Sequence, residues 1–105
     1  MNIALSVKLF IELKKNPEQS QRALSKRCGV SLGSVHYCLS ALVNQGYIKA
    51  MNFKNEKNKV AYSYILTPSG INLKKELTLV FLNSKQAKYE ALREEIKVLK
   101  KELKR

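Results

Sequence analysis

The chain has 105 residues, of which 20 are Lys or Arg and 8 are acidic, so its formal charge is +12. This length accommodates one small domain with room for one extra element. The charge excess favours a polyanionic partner, first nucleic acid and second an anionic membrane surface, over a basic but inert protein. No apolar run approaches the ~18 residues that span a bilayer, and residues 1–13 lack a signal-peptide cleavage pattern. We therefore expect a cytoplasmic protein that does not enter a membrane.

The first third of the chain predicts a helix-turn-helix. Residues 3–15 are dense in apolar side chains at helical spacing, and this helix should end before Pro17, because the residue preceding proline is pushed out of helical geometry. Residues 20–28 predict a second, shorter helix, with Ser20 as its N-cap and Gly29 as its end. The short turn that holds Gly29 and Val30 leads into a third helix, which is the helix-turn-helix pattern. Val30 should fill the angle between the helices.

The third helix, residues 31–45, is the element around which the chain is organised. Ser31 is its expected N-cap and Gly46 closes it, while its inward face repeats at intervals of three and four: Val35, Leu39, Leu42 and Val43. The opposite face is small, neutral and rich in hydrogen-bonding groups, unlike an ordinary Lys/Glu-rich solvated face: Gly33, Ser34, His36, Tyr37 and Ser40. We interpret it as the recognition helix of a DNA-binding domain.

Two β-strands and a basic loop are predicted next. Residues 47–51 are β-leaning, and residues 60–66 are rich in β-branched and aromatic side chains. The intervening asparagines favour a turn, and three lysines lie in or beside it: Lys54, Lys57 and Lys59. Two strands that follow a helix-turn-helix in this way predict a wing. Thr67 and Pro68 then supply the cap and first position of another helix.

That last helix is predicted from about Pro68 to Lys104, which exceeds a normal globular length. Leu73, Leu77, Val80 and Phe81 should pack on the first helix. From there a heptad places Leu82, Tyr89, Ile96 and Leu103 at a, and Lys85, Leu92 and Leu99 at d, with only Lys85 breaking the pattern. This predicts a dimerisation coiled coil of about three heptads, without fixing strand direction. The alternative is an amphipathic helix folded back on its own domain.

An enzyme is not expected, and neither is a metal or another cofactor. The chain has no Asp and one His. His36 and Cys38 point about 200° apart on a helix and cannot meet locally, and adding Cys28 gives no recognised zinc spacing. The two cysteines are expected to be reduced, small core residues, with a redox-sensing disulfide between them as the alternative.

The DNA contacts expected from this arrangement fall into two kinds. For base edges, Gly33 and Ser34 allow close approach, and Ser34, His36, Tyr37 and Ser40 supply hydrogen-bonding groups. For phosphates, the candidates are Ser31 at the helix N-terminus, Gln21 and Arg22 in the second helix, and Lys54, Lys57 and Lys59 in the wing. Two alternatives remain, namely that His36 faces the core and that Tyr37 packs on a neighbouring helix. The helix lacks Arg, so modest base specificity or reading of A·T-rich shape is expected.

Several motifs resemble those of a known family. GVSLG at 29–33, YCL at 37–39, NFKN at 52–55 and YILTP at 64–68 resemble MarR-type winged-helix regulators, and most of all the small MarR-like regulators associated with bacterial exopolysaccharide gene clusters. The resemblance covers nearly the whole chain and implies a dimeric bacterial transcription factor. Typical MarR proteins are longer, with extra terminal helices that form a dimer core and a ligand pocket, which makes a small-molecule effector doubtful here.

Together these features predict a mainly α (α+β) fold: a winged helix-turn-helix domain over residues 1–70 and a C-terminal dimerisation helix over residues 71–105. The expected function is sequence-specific binding of double-stranded DNA by a homodimeric transcription regulator, at an inverted repeat with half-sites about one helical turn apart. The alternatives are DNA binding in replication or mobile elements, a winged helix used for protein–protein interaction, and binding of structured RNA.

Overall fold

The structure is a computed structural model, and it describes residues 1–54 and 60–104. Of residues 53, 54, 60 and 61 it describes the backbone alone. The element order confirms the predicted winged helix-turn-helix with a long last helix. The elements are α1 (Ile3–Lys15), α2 (Gln21–Cys28), α3 (Leu32–Asn44), β1 (Ile48–Lys54), β2 (Val60–Leu66) and α4 (Pro68–Leu103).

Each described helix begins at a short polar side chain that accepts a hydrogen bond from the first turn. Ser20 accepts from the Ala23 N–H, and Ser31 from the Ser34 N–H. Thr67 does the same for Gly70. These three caps confirm the predicted starts, because a free N–H of the first turn needs an acceptor that the helix itself does not supply. Asn2 caps α1 in the same way.

The hydrophobic core is centred on α1, which packs against α2, α3, β2 and the start of α4. Leu9 and Phe10 are fully buried, and the apolar face of α1 is as wide as its sequence predicted. Ile11 is the exception among its apolar residues, because it is 42% exposed. The core receives Leu24 from α2 and Val35, Leu39 and Leu42 from α3.

The wing is an antiparallel pair in which Ile48 lies opposite Leu66 and Ala50 opposite Tyr64. Strand β1 extends to Lys54, three residues beyond the predicted end at 51. Ile48 and Tyr64 face the core and are buried. The Tyr64 N–H donates to the Pro17 carbonyl at 2.8 Å, which fastens β2 to the end of α1.

The N-terminus of α4 is fastened at the point where α3 ends and the wing begins. The Thr67 hydroxyl donates to the Gly46 carbonyl at 2.6 Å, and the Thr67 N–H to the Tyr47 carbonyl at 3.1 Å. Gly70 lies so close that a Cβ there would stand 1.9 Å from the Tyr47 carbonyl oxygen. Only glycine fits this position without moving α4 away from the wing.

Only the first turns of α4 contribute to the core. Leu77 is buried, and Leu73 and Phe81 pack partly against the core, as predicted. The same expectation was wrong for Val80, which is 51% exposed because it lies on the outer side of the helix. From residue 82 to residue 104 every side chain is exposed, and the helix projects from the domain, which gives the chain a longest dimension of 68 Å.

Candidate nucleic-acid interface

The turn between α2 and α3 sets the angle at which α3 is presented. Gly29 adopts a left-handed conformation with φ of 69°, which glycine reaches without a steric penalty. The Val30 N–H donates to the Ser25 carbonyl, and the Ser25 hydroxyl donates back to the Val30 carbonyl at 2.5 Å. Val30 packs partly buried against the core, as the sequence predicted. The turn is therefore held by its own backbone and by the core beneath it.

Helix α3 is divided sharply between a buried and an uncovered side. Val35, Cys38, Leu39 and Leu42 are buried. The uncovered side begins with the first turn and carries no ionised carboxylate, ammonium or guanidinium group: Leu32, Gly33, Ser34, His36 and Tyr37. We call these five residues the α3 flank. Tyr37 is 80% exposed, so the alternative in which it packs on a neighbouring helix does not describe this structure.

The hydroxyl groups at the start of α3 form a short chain. The Ser31 hydroxyl accepts from the Ser34 N–H at 3.1 Å and donates to the Ser34 hydroxyl oxygen at 2.8 Å. Both hydroxyl groups are exposed at the start of α3. The unpaired N–H groups and dipole of a helix N-terminus also favour a negative group at this end.

His36 lies on the flank but is tied to its neighbours. Its Nδ1 is 3.2 Å from Gln21 Oε1, and Gln21 Nε2 donates to the Tyr64 hydroxyl at 3.4 Å. This chain joins α2, α3 and the wing. Gln21, predicted as a phosphate ligand, is half-buried within it, so its amide positions α3 against the wing. No local sequence pattern signals this link, because its three members are distant along the chain.

A cleft of about 320 Å³ separates α3 from the wing. Ser40, which is half-buried, lines it and so sits deeper than the other residues predicted to face DNA. Tyr62 and Asn44, which sequence reasoning missed, line it as well. Tyr62 is 51% exposed and stacks on Tyr64 with ring centroids 6.0 Å apart. Residues 62 and 64 are two apart in β2, and this spacing could have predicted that their side chains share a face.

The structure describes the side chains of only some of the residues predicted to contact phosphates. Arg22 is exposed on α2, beside Gln21. Lys54 ends β1, but its side chain lies outside what is described, and Lys57 and Lys59 lie outside the described residues altogether. Exposed cations elsewhere on the described surface include Lys26 and Arg27 at the end of α2 and Lys49 in β1.

The predicted dimerisation residues lie on one exposed side of α4. Their exposed fractions run from 43% for Ile96 to 87% for Leu103. The members of this set, which we call the α4 stripe, are Leu82, Tyr89, Leu92, Ile96, Leu99 and Leu103. The alternative in which the helix folds back on its own domain does not describe this structure, because α4 is continuous and projects outward.

Both cysteines are free and buried. Burial, and after it the charge of Glu12, raises the pKa of the Cys28 thiol, and the Cys38 Sγ lies 3.4 Å from the Ser6 hydroxyl. A raised pKa leaves less thiolate, which is the reactive form. Within residues 1–54 and 60–104, no three His, Cys, Asp or Glu residues cluster as a metal site. The helices described there are all too short or too polar to cross a membrane.

Comparison with known proteins agrees with the winged helix-turn-helix fold that the structure shows. Residues 5–49 match the family described as winged helix-turn-helix DNA-binding, which spans α1 through the first residues of β1. The match covers less than half of the chain, and it agrees with the winged helix-turn-helix fold described above. No curated protein sequence matches it significantly.

Three solved structures, one of them a transcriptional regulator, share the fold at low sequence identity. A point mutant of MepR from S. aureus bound to an oligodeoxyribonucleotide gives a TM-score of 0.57 at 18% identity, over 83% of this chain and 62% of MepR. PcaV from Streptomyces coelicolor, in complex with its natural ligand, gives 0.54 at 18% identity, over 91% and 73%. A second MepR mutant, from a multidrug-resistant S. aureus clinical isolate, gives 0.58 at 16% identity, over 100% and 80%. In the first comparison the chain thus spans less than two thirds of the relative's length.

Proposed function

We propose that this protein is a transcription regulator that binds double-stranded DNA through the α3 flank. The observation that carries the proposal is that the start of α3 is held rigidly from behind and uncovered in front. Its small residues admit close approach, and its hydroxyl and ring groups can hydrogen-bond to base edges. One structural neighbour was solved with an oligodeoxyribonucleotide, which supports the same use of this fold here.

In this proposal the first half of α3 enters the major groove. Tyr37 and Ser34 contact base edges, and Tyr37 can also touch a thymine methyl group. Ser31 and Arg22 contact the phosphates that border the groove, while the wing follows the backbone or enters the minor groove. The cleft between α3 and the wing then lies over a phosphate strand, with the Tyr62 hydroxyl within it.

The functional unit that we propose is a cytoplasmic homodimer joined through the α4 stripe. Exposed leucine and isoleucine side chains at heptad spacing lose unfavourable contact with water when a second helix covers them. A two-fold dimer reads an inverted repeat, because each protomer presents the same flank. The resemblance to regulators associated with exopolysaccharide clusters suggests exopolysaccharide biosynthesis genes as the targets.

Two measurements test DNA binding. Sequences selected from a random duplex library should converge on an inverted repeat, and the affinity for the selected duplex should fall linearly with salt on a log–log plot. Arg22→Ala should weaken selected and random duplexes alike and flatten this dependence, because a phosphate contact carries no sequence information. Lys97→Ala, which removes an exposed charge far from α3, serves as the control. A library that yields no enriched duplex would refute the proposal.

The exposed α4 stripe favours a second candidate, a winged helix whose long helix docks another protein. Apolar docking depends weakly on salt, whereas contacts to phosphates release counterions and weaken steeply. The salt titration therefore separates the two functions, and competition between duplex DNA and RNA separates DNA from RNA binding.

A further inference from the structure

An open apolar groove of about 880 Å³ lies beside the first turns of α4. Its walls are the end of α1 with Pro17, the outer side of β2 and one side of α4. Ile65, Ile71 and Leu82 line it and are each 45–49% exposed. Apolar side chains that are exposed together in a groove are a common feature of surfaces that bind a partner.

The α4 wall of the groove belongs to the same helix side as the α4 stripe. Ile71, Lys75, Thr78 and Leu82 line the groove and are spaced by four, three and four residues. Continuing the heptad backward from Leu82 therefore places Thr78 and Ile71 at d and Lys75 at a. One seam thus runs along nearly the whole of α4, and the groove is the part of it that the domain borders.

We propose that this groove receives the C-terminal third of α4 from a second copy of the chain, in an antiparallel pair. This inference rests on the homodimer proposed above. In an antiparallel coiled coil, a positions face d positions of the partner. The register that aligns the seam over its full length produces the following layers: Ile71 with the partner's Leu103, Lys75 with the partner's Leu99, Thr78 with the partner's Ile96, Leu82 with the partner's Leu92, and Lys85 with the partner's Tyr89.

The two lysines within the seam favour this direction. A parallel pair would bring Lys75 against its own copy and Lys85 against its own copy, and like charges facing each other in an interface are destabilising. In the antiparallel register each lysine meets an uncharged side chain instead. Lys85 already lies over the Phe81 ring, with Nζ 5.2 Å from the centroid, which keeps its charge at the edge of the seam.

The charged residues that flank the seam also favour the antiparallel direction. In the antiparallel register Lys74 lies beside the partner's Glu102, both being g positions. Partial burial and then the neighbouring Lys14 lower the pKa of Lys74, so a carboxylate arriving there would stabilise its charge. The same register brings Lys88 beside the partner's Lys88 once per dimer, near the two-fold axis, whereas a parallel pair would set Lys88 against the partner's Arg93 twice. Its one attractive pair, Glu95 with Lys100, joins exposed side chains, and such pairs contribute only about 0–1 kcal/mol.

The direction of pairing determines where the two DNA-binding domains lie. In this register the two copies of Pro68 are separated by roughly 57 Å along the helix axis, at 1.5 Å per residue. That exceeds the ~34 Å of one helical turn of DNA. The spacing of the half-sites in the selected inverted repeat should differ between the antiparallel and the parallel pair, because the two directions place the domains at different distances.

Cysteine cross-linking tests the register. Thr78→Cys and Ile96→Cys chains, one carrying a size tag, are co-expressed, purified and oxidised. The antiparallel pair should give the mixed Thr78→Cys/Ile96→Cys dimer as the main product and little of either self-linked dimer. Replacing Ile96→Cys by Lys97→Cys, which lies one residue away on the outer side, should reduce the mixed product at least tenfold. The unsubstituted chain, whose cysteines are buried, should give none.

The outcomes separate this inference from the proposed function. Self-linked dimers as the main products would overturn the antiparallel arrangement in favour of a parallel one. Monomers by light scattering of the unsubstituted chain would overturn both the docking and the homodimer. If the dimers are self-linked or the chain is monomeric but still binds the selected duplex, the proposed DNA binding stands. If the cross-links form as expected but no duplex is bound, only the proposed function is refuted.

Discussion

Two helices of this molecule leave one side uncovered, and the two sides differ in chemistry. The α3 flank combines a glycine, a serine and a single projecting tyrosine at the start of a helix. The α4 stripe repeats leucine and isoleucine at heptad spacing over the second half of a helix. Water solvates the first side at little cost, but it solvates the second poorly. The residues of an exposed helix side therefore indicate the kind of partner that it fits. The α3 flank fits a polar, grooved polymer, and the α4 stripe fits a second apolar helix.

Placing a charge in the α4 stripe should have the largest effect. Ile96→Glu removes from each protomer one apolar side chain that the proposed dimer would bury, which is about 1.5–3 kcal/mol per chain, and it adds a carboxylate to that interface. Light scattering should then report a monomer, and affinity for the inverted repeat should fall more than tenfold. The monomeric domain should keep its helix content by circular dichroism.

Lys97→Glu is the matched control for that change. It alters charge at the neighbouring position on the outer side of α4, where the side chain is exposed. The dimer should persist. If both substitutions dissociate the dimer equally, the α4 stripe is not its interface.

Gly70→Ala should destabilise the fold by about 1–3 kcal/mol, the usual cost of overpacking. The new Cβ would lie 1.9 Å from the Tyr47 carbonyl oxygen, so α4 must shift away from the wing. Thermal unfolding measures the change. An unchanged melting temperature would contradict the close packing of α4 against the start of β1.

Tyr37→Ala should cost on the order of 1–3 kcal/mol in binding to the selected duplex, with little change in binding to random duplexes. Its side chain is 80% exposed, so the free energy of unfolding should change by no more than about 0.5 kcal/mol. Ile11→Ala, which truncates an exposed residue on α1, is the control. Equal losses on selected and random duplexes would mean that Tyr37 reads no base.

The smallest expected effect concerns Cys28. Because burial raises the pKa of its thiol above the ordinary 9.0, the folded state holds this proton more tightly than the unfolded chain does. The resulting contribution to stability is complete below the unfolded pKa and is lost as pH rises through the folded pKa. Urea unfolding from neutral to alkaline pH should therefore show a steeper loss for the natural chain than for Cys28→Ala. Parallel curves would contradict this.

The sequence predicted the helices well because their ends are local. Ser20, Ser31 and Thr67 each cap the helix that directly follows them, and Gly29 supplies a left-handed turn that few other residues adopt. The heptad in α4 is equally local, since its period is set by one helix alone. These features depend on neighbours a few residues away, and the sequence displays such neighbours directly.

Other features depend on elements that meet only after folding. Gln21 belongs to the same exposed turn as Arg22 in sequence, yet its amide joins His36 to Tyr64 across three elements. Ser40 lies on the predicted outward side of α3, but the wing approaches that side and forms a cleft over it. Neither fact follows from periodicity, because both require the position of β2 relative to α3.

The most direct test of DNA binding by the α3 flank is the affinity of Gly33→Leu for the selected duplex. A Cβ at this position would meet only the Ser31 hydroxyl oxygen, at 4.0 Å, and leucine favours a helix more than glycine does, so the fold should be at least as stable. If the flank enters a groove, the added side chain blocks close approach, and affinity should fall at least tenfold while the melting temperature does not. Unchanged affinity in the stably folded variant would show that DNA does not meet the protein at this surface.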